Sequence, residues 1–217
     1  MLGPRTRVGV LGALTAALTV LTTTPAMATG TTSTTTTTST TAAESINPAV
    51  ILPAGERPDV GEPWTNRYVE REVFTTPCGV YGRPTGADGG ITVRHRTELF
   101  VGWDTALKFP TPEKADAAFR QYEADLITCE DRYPEDGDGS GYMKDVRQVG
   151  TADGVRVYRA ISGVTGYPGT PYQFAVVRQG RVLYALTLMD HRSGENPPVE
   201  YEAAVKNIKT RIAAYYP

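Results

Sequence analysis

Four groups of residues have types and spacings that could do chemistry. The first is Asp136-Gly137-Asp138-Gly139-Ser140-Gly141. It places oxygen donors at alternate positions with glycine sixth, as in the first half of an EF-hand calcium loop. The twelfth position of that loop needs a bidentate glutamate and holds Arg147 instead. The stretch therefore reads as a solvated turn, Asp and Gly being ordinary turn residues, and no metal is expected.

The second group is the two histidines, His95 and His191. His95 falls on the apolar face of an alternating stretch and reads as a satisfied core histidine. His191 follows Asp190, so an Asp-His dyad is conceivable. No serine sits in a G-x-S-x-G elbow, however, and two isolated histidines fall short of a zinc set. Carboxylates are numerous, but no two can be assigned to one cleft as glycosidase chemistry requires. No catalytic residue and no cofactor are expected.

Third are Cys78 and Cys129, the only cysteines. Far apart and in an exported chain, they read as a structural disulfide rather than a reactive CxxC pair. The bridge would close about 50 residues and contribute roughly 4 kcal/mol on the chain-entropy argument. Last comes the loop Gly163 to Tyr172, where Gly and Pro flank Tyr167 and Tyr172. Such loops can present flat aromatic faces to sugars or peptides, against the plainer alternative of tyrosines packed on sheet edges. Tyr167 and Tyr172 are the ligand-binding candidates.

Export is read from the N-terminus. Arg5 and Arg7 precede an apolar stretch from Val8 to Leu21, and Ala26 and Ala28 stand at A-x-A spacing. This order marks a cleavable secretory signal with the cut after Ala28. The apolar stretch is too short to span a bilayer, which takes roughly 20 residues. No membrane span is expected, and no lipid anchor, since no cysteine lies near the cut. From Thr29 to Thr41 the chain is almost pure Thr, a spacer that cannot bury apolar surface and a candidate for O-glycosylation. The expected organisation is thus signal 1–28, disordered linker 29–45 and one folded domain 46–217.

The 22 basic residues lose Arg5 and Arg7 with the signal and face 24 acidic ones, a formal net charge of −4. That argues against nucleic acid as a partner. Apolar residues make up 40% of the chain, enough for a packed core.

The elements that must position any site follow from periodicity. Strands are expected at 66–74, 91–103 and 106–109. A helix follows, capped by Thr111 with Pro112 at its first position. Its apolar stripe is Ala115, Ala118, Phe119, Tyr122, Leu126 and Cys129. Further strands are expected at 142–149, 155–161, 173–178 and 182–189, the last two as a hairpin around Gln179-Gly180. A final helix starts near Pro197 or Pro198, with Tyr201, Ala204, Val205, Ile208, Ile212 and Tyr215 as its stripe. The fold class is α+β: an antiparallel sheet with two amphipathic helices packed on one face and one disulfide.

Several local features carry a resemblance. They are Ile51-Leu52-Pro53, Cys78 after the first strand, Lys108-Phe109 leading into the Ala115–Phe119 helix that ends at Cys129, the run Gln173 to Gly180, and the amphipathic C-terminal helix. On these, residues 46–216 resemble the actinobacterial extracellular sensor-like domain family, which includes the outer sensor domain of the receptor kinase PknH and related secreted proteins and lipoproteins. The chain departs from that outer domain in having one cysteine pair for two, and no kinase. The resemblance implies a secreted, non-enzymatic binding module, extracellular or held at the cell wall. Its partner would be a small molecule, glycan or protein of the cell envelope. The alternatives are a secreted inhibitor or protein-interaction domain, and a hydrolase built on Asp190 and His191.

Overall fold

The strands β6 (Thr170–Gln179) and β7 (Val182–Asp190) decide the architecture. Consecutive residues from Tyr172 to Val177, and from Val182 to Leu188, are buried. Side chains of a strand alternate between faces, so these two strands are covered on both sides. The computed structural model describes residues 46–70, 86–132, 141–164, 169–192 and 199–217. Within them, β1 (Thr65–Glu70), β2 (Gly89–Arg96), β3 (Phe100–Lys108), β4 (Gly141–Ala152) and β5 (Val155–Val164) join β6 and β7 in one sheet. The order is β1-β2-β3-β7-β6-β5-β4, and every neighbouring pair is antiparallel.

The chain leaves β3 at the middle of the sheet and must begin β4 at its edge. The connection runs through α1 (Pro112–Ile127) and a single turn, α2 (Cys129–Arg132). Thr111 caps α1 by accepting a hydrogen bond from the Lys114 N–H, and Pro112 opens it. Ala115, Phe119, Tyr122 and Leu126 are buried against Tyr172, Phe174, Val176, Leu183 and Ala185. After β7 the chain forms α3 (Glu202–Tyr215). Its Ala204, Ile208 and Ile212 pack with Ala175, Val177, Tyr184, Leu186 and Leu188. These are the alternate residues of the same strands. The two long helices therefore lie on opposite faces, not together on one. The pattern of β6 and β7 holds the reason, because a strand apolar at every position needs cover on both sides.

Two further differences are local. Residues 91–103 are not one strand, since the chain reverses between β2 and β3. Thr97 makes the turn: its Oγ accepts from the N–H groups of Leu99 and Phe100, and its own N–H donates to the Phe100 carbonyl. The alternation breaks only at Leu99-Phe100-Val101, three apolar residues in a row that mark the change of register. The last helix begins at Glu202, a few residues beyond the prolines. The β6–β7 hairpin turns at Gly180, whose φ of 53° suits glycine.

The entry segment packs on the α3 side. Asn47 caps a 3-10 turn, Pro48–Val50, and a second turn spans Ala54–Glu56. Val50 and Leu52 are buried in the α3-side core. Arg211 of α3 holds this segment by donating to both carboxylate oxygens of Glu56 and to the Ala49 carbonyl.

Candidate functional site

The residues singled out in the sequence do not converge. Tyr172 is buried, edge-on to Phe174 at 6.5 Å between ring centroids, in the α1-side core. It packs there as structural filling and offers no exposed platform, because β6 begins at Thr170 and carries it under α1. Tyr167 lies outside the described residues, as do Cys78 and most of the acidic loop, residues 136–140. The acidic loop's final residue, Gly141, opens β4. Among the described residues, no group of three or more His, Cys, Asp or Glu side chains could hold a metal ion.

The Asp190–His191 dyad does not form. Arg192 takes the Asp190 carboxylate, with Nε 2.9 Å from Oδ1 and Nη2 2.6 Å from Oδ2, and its backbone N–H donates to Oδ1 at 2.9 Å. His191 is exposed, and its backbone N–H closes the β3 hairpin on the Leu99 carbonyl.

His95 is a core histidine, as expected, but it belongs to a charge cluster that periodicity does not reveal. Its side chain and those of Arg57 and Asp104 are wholly buried. Arg57 Nη1 and His95 Nε2 both address Oδ2 of Asp104, the histidine at 2.9 Å. The Arg57 guanidinium lies 4.5 Å from the centre of the Trp64 ring, a cation–π contact. Gly102 stands opposite His95 across β2 and β3, and its missing side chain leaves room for Nη2 of Arg57. Tyr184 closes the cluster from β7 and accepts a hydrogen bond from the Leu52 N–H at 3.1 Å. Burial, and then the Asp104 charge, pushes the Tyr184 phenol well above its ordinary range. No hydroxyl or thiol among the described residues hydrogen-bonds His95. The cluster ties the entry segment to the sheet. Arg57 sits in a Pro- and Gly-rich stretch with no period to mark it. Asp104 was the available signal, an acid in the middle of a mostly apolar strand.

A cleft lies elsewhere on the α3 side. Helix α3 covers β6 and β7 but stands away from β4 and β5, leaving a cleft of about 680 Å³. Its walls include Val155 and Val157 of β5, and Val199 and Val205 from the α3 side. Arg159, Gln173, Tyr201, Lys206 and Lys209 supply polar groups. Gln173 Oε1 accepts the Val199 N–H at 3.1 Å, which fixes the approach to α3. Tyr201 is buried beside the cleft, and its hydroxyl has no partner among the described residues. Burial raises its pKa well above the ordinary value, against the opposing field of Arg57. A smaller groove of about 470 Å³ runs between the entry segment and the edge of β1 and β2, where Val69 is 60% exposed.

No described helix is long and apolar enough to cross a membrane. No protein-family model and no curated protein matches the chain. Among solved structures it is similar to the extracellular domain of PknH from Mycobacterium tuberculosis, at 12% identity over 70% of this chain and 85% of that one, with a TM-score of 0.48. It is also similar to a putative uncharacterized protein from Mycobacterium smegmatis, at 13% identity over 71% and 86%, with a TM-score of 0.37. The first is the extracellular domain of the kinase named in the sequence resemblance; neither likeness says what this chain binds.

Proposed function

We propose that the chain is an exported, non-enzymatic binding module whose ligand occupies the cleft between β4–β5 and α3. One observation carries this reading: a cleft of about 680 Å³ that joins aliphatic walls to a few polar side chains. That is the usual make-up and size of a small-molecule site. The partner is a small molecule, glycan or protein fragment of the cell envelope. The signal at 1–28, the Thr-rich linker at 29–45 and the domain at 46–217 complete the proposal, with the mature protein outside the cell or held at its wall. A Cys78–Cys129 bridge belongs to it as well. Its support is that Cys129 is buried and that no described cysteine is a free thiol.

The inhibitor or protein-interaction alternative draws on the groove beside Val69. A hydrolase on Asp190 and His191 draws on nothing further, because Arg192 occupies the aspartate. Tyr167 remains a proposed contact on its loop, and Tyr172 would act through that loop's packing.

The test is mass spectrometry of the mature protein from its own host's medium, under native and then denaturing conditions. A discrete small adduct seen only in the native spectrum, and lost in Val205→Trp, supports the cleft. An adduct that survives Val205→Trp moves the site elsewhere. The denatured mass also reports the cut after Ala28, the disulfide and any sugar on the Thr tract.

A further inference from the structure

The strand pairing beside the cleft sets two arginines directly opposite each other. Lys144 of β4 pairs with Ile161 of β5, so a regular ladder would bring Val146 opposite Arg159. The register shifts between Lys144 and Arg147, and Arg147 stands opposite Arg159 instead. Within the bulge, Asp145 adopts φ 55°, the one non-glycine residue with positive φ among the described residues. Bulges re-aim side chains, and left-handed backbone at a non-glycine residue costs free energy. Directly opposed residues of an antiparallel pair share a face, and like charges there repel. This bulge thus combines a strained residue with an arginine pair. It also sends Val146 to the α1-side core, where it packs.

The shared face is that of the cleft. Val155 and Val157 line the cleft, and Arg159 continues their alternation and lines it too. Arg159 lines the cleft and is half-buried; Arg147, its partner across the ladder, is exposed and does not itself line the cleft. Lys206 and Lys209 face them from α3. Lys209 Nζ donates to the Asp153 carbonyl at 3.0 Å, whereas Arg159 and Lys206 have no ion pair among the described residues. The acids on the lining, Glu200 and Glu202, are exposed on the approach to α3 and at its first turn. The lining also holds five valines, Val149, Val155, Val157, Val199 and Val205.

Resting on the cleft reading above, we infer that the ligand is an anionic amphiphile, with its carboxylate or phosphate head between Arg159 and Arg147 and its apolar body along the valines. An anion there converts the like-charge pair into a two-armed clamp, since arginine forks match both head groups. Lys206 closes over the head from the helix.

The experiment titrates the mature full chain with four monomeric probes: decanoate, decyl phosphate, decyltrimethylammonium and inorganic phosphate. Calorimetry is run on wild type, Arg159→Met, Arg147→Gln and Val205→Trp. The expected result is that one or both anionic decyl probes bind and the cationic one does not. Arg159→Met then weakens binding by roughly tenfold or more, and Val205→Trp abolishes it. Preference for decanoate identifies a carboxylate head and preference for decyl phosphate a phosphate head; either supports the inference. Inorganic phosphate binding as tightly as decyl phosphate overturns the amphiphile. Decyltrimethylammonium binding as tightly as decanoate, with loss in Val205→Trp, overturns the anionic head and leaves the cleft standing. Binding of no decyl probe to wild type overturns both. Melting of the ligand-free variants guards against misfolding: relief of repulsion raises the Tm of Arg147→Gln at low salt, and that gain shrinks as salt screens the pair. A fall in Tm that salt does not alter overturns the repulsive pair.

Discussion

The guanidinium of Arg57 occupies the space that a side chain on Gly102 would fill. A Cβ at position 102 would also meet Leu188 Cδ2 at 2.9 Å and the Thr187 carbonyl oxygen at 3.1 Å. Gly102→Ala therefore forces either the guanidinium or the central strands to move. The expected loss is about 1–3 kcal/mol, as for other overpacked cores, read as a lower midpoint in urea.

Removing the cation is expected to cost more. Arg57→Met leaves the buried Asp104 carboxylate without its main partner, a change typically worth about 3–5 kcal/mol. Adding Asp104→Asn removes the stranded charge. The double variant should then be more stable than Arg57→Met alone, a non-additivity that a double-mutant cycle on urea midpoints measures.

Alkaline pH should unfold the protein through its tyrosines. Burial raises the phenols of Tyr122, Tyr184 and Tyr201 well above the usual value of 10.0, and that of Tyr158 to about 12. A raised folded-state pKa gives stability that is full below the unfolded value and lost as pH climbs toward the folded one. Stability should hold up to pH 10.0 and fall steeply above it. Phenolate absorbance should show these tyrosines ionising only together with loss of far-ultraviolet circular dichroism. Early, independent ionisation of all tyrosines would contradict the packing described.

The Glu56 carboxyl should titrate below the normal glutamate range, chiefly because Arg211 donates hydrogen bonds to it. With a depressed pKa, the stabilising interaction is present above the unfolded value and lost as pH falls through the folded one. Carboxyl carbon chemical shifts during acid titration check this. Glu56→Gln should cost about 1 kcal/mol or less, because both partners are only half-buried and water screens the pair.

If Cys78 and Cys129 are bridged, reductant should lower the melting temperature, and Cys129→Ser should lose about 2–5 kcal/mol. A melting curve indifferent to reductant would refute the bridge.

Much of the fold is legible in the sequence, because local signals and burial agree there. Thr111-Pro112 marks the start of α1, and the stripe from Ala115 to Leu126 gives its buried face. Gln179-Gly180 gives the last hairpin. What escapes is whatever depends on contacts distant in sequence. The apolar runs of β6 and β7 were visible, yet assigning the helices to faces needs the strand order. The Thr97 turn is marked only by Leu99-Phe100-Val101, a short break in an otherwise regular alternation. Arg159 does not stand out, because it reads as an ordinary outward residue until the Lys144–Arg147 bulge sets its partner.

The hold of α3 on the entry segment has a mechanical consequence. The Asn47 N–H donates to the Tyr216 hydroxyl at 2.6 Å, and Arg211 and Asn207 fasten Ala49 and Glu56 a few turns earlier on the same helix. Chain entry and the end of α3 thus meet at one corner. A pull on residue 46 against residue 217 loads these links one at a time, like teeth of a zipper, while the seven-stranded ladder carries no tension until they have parted.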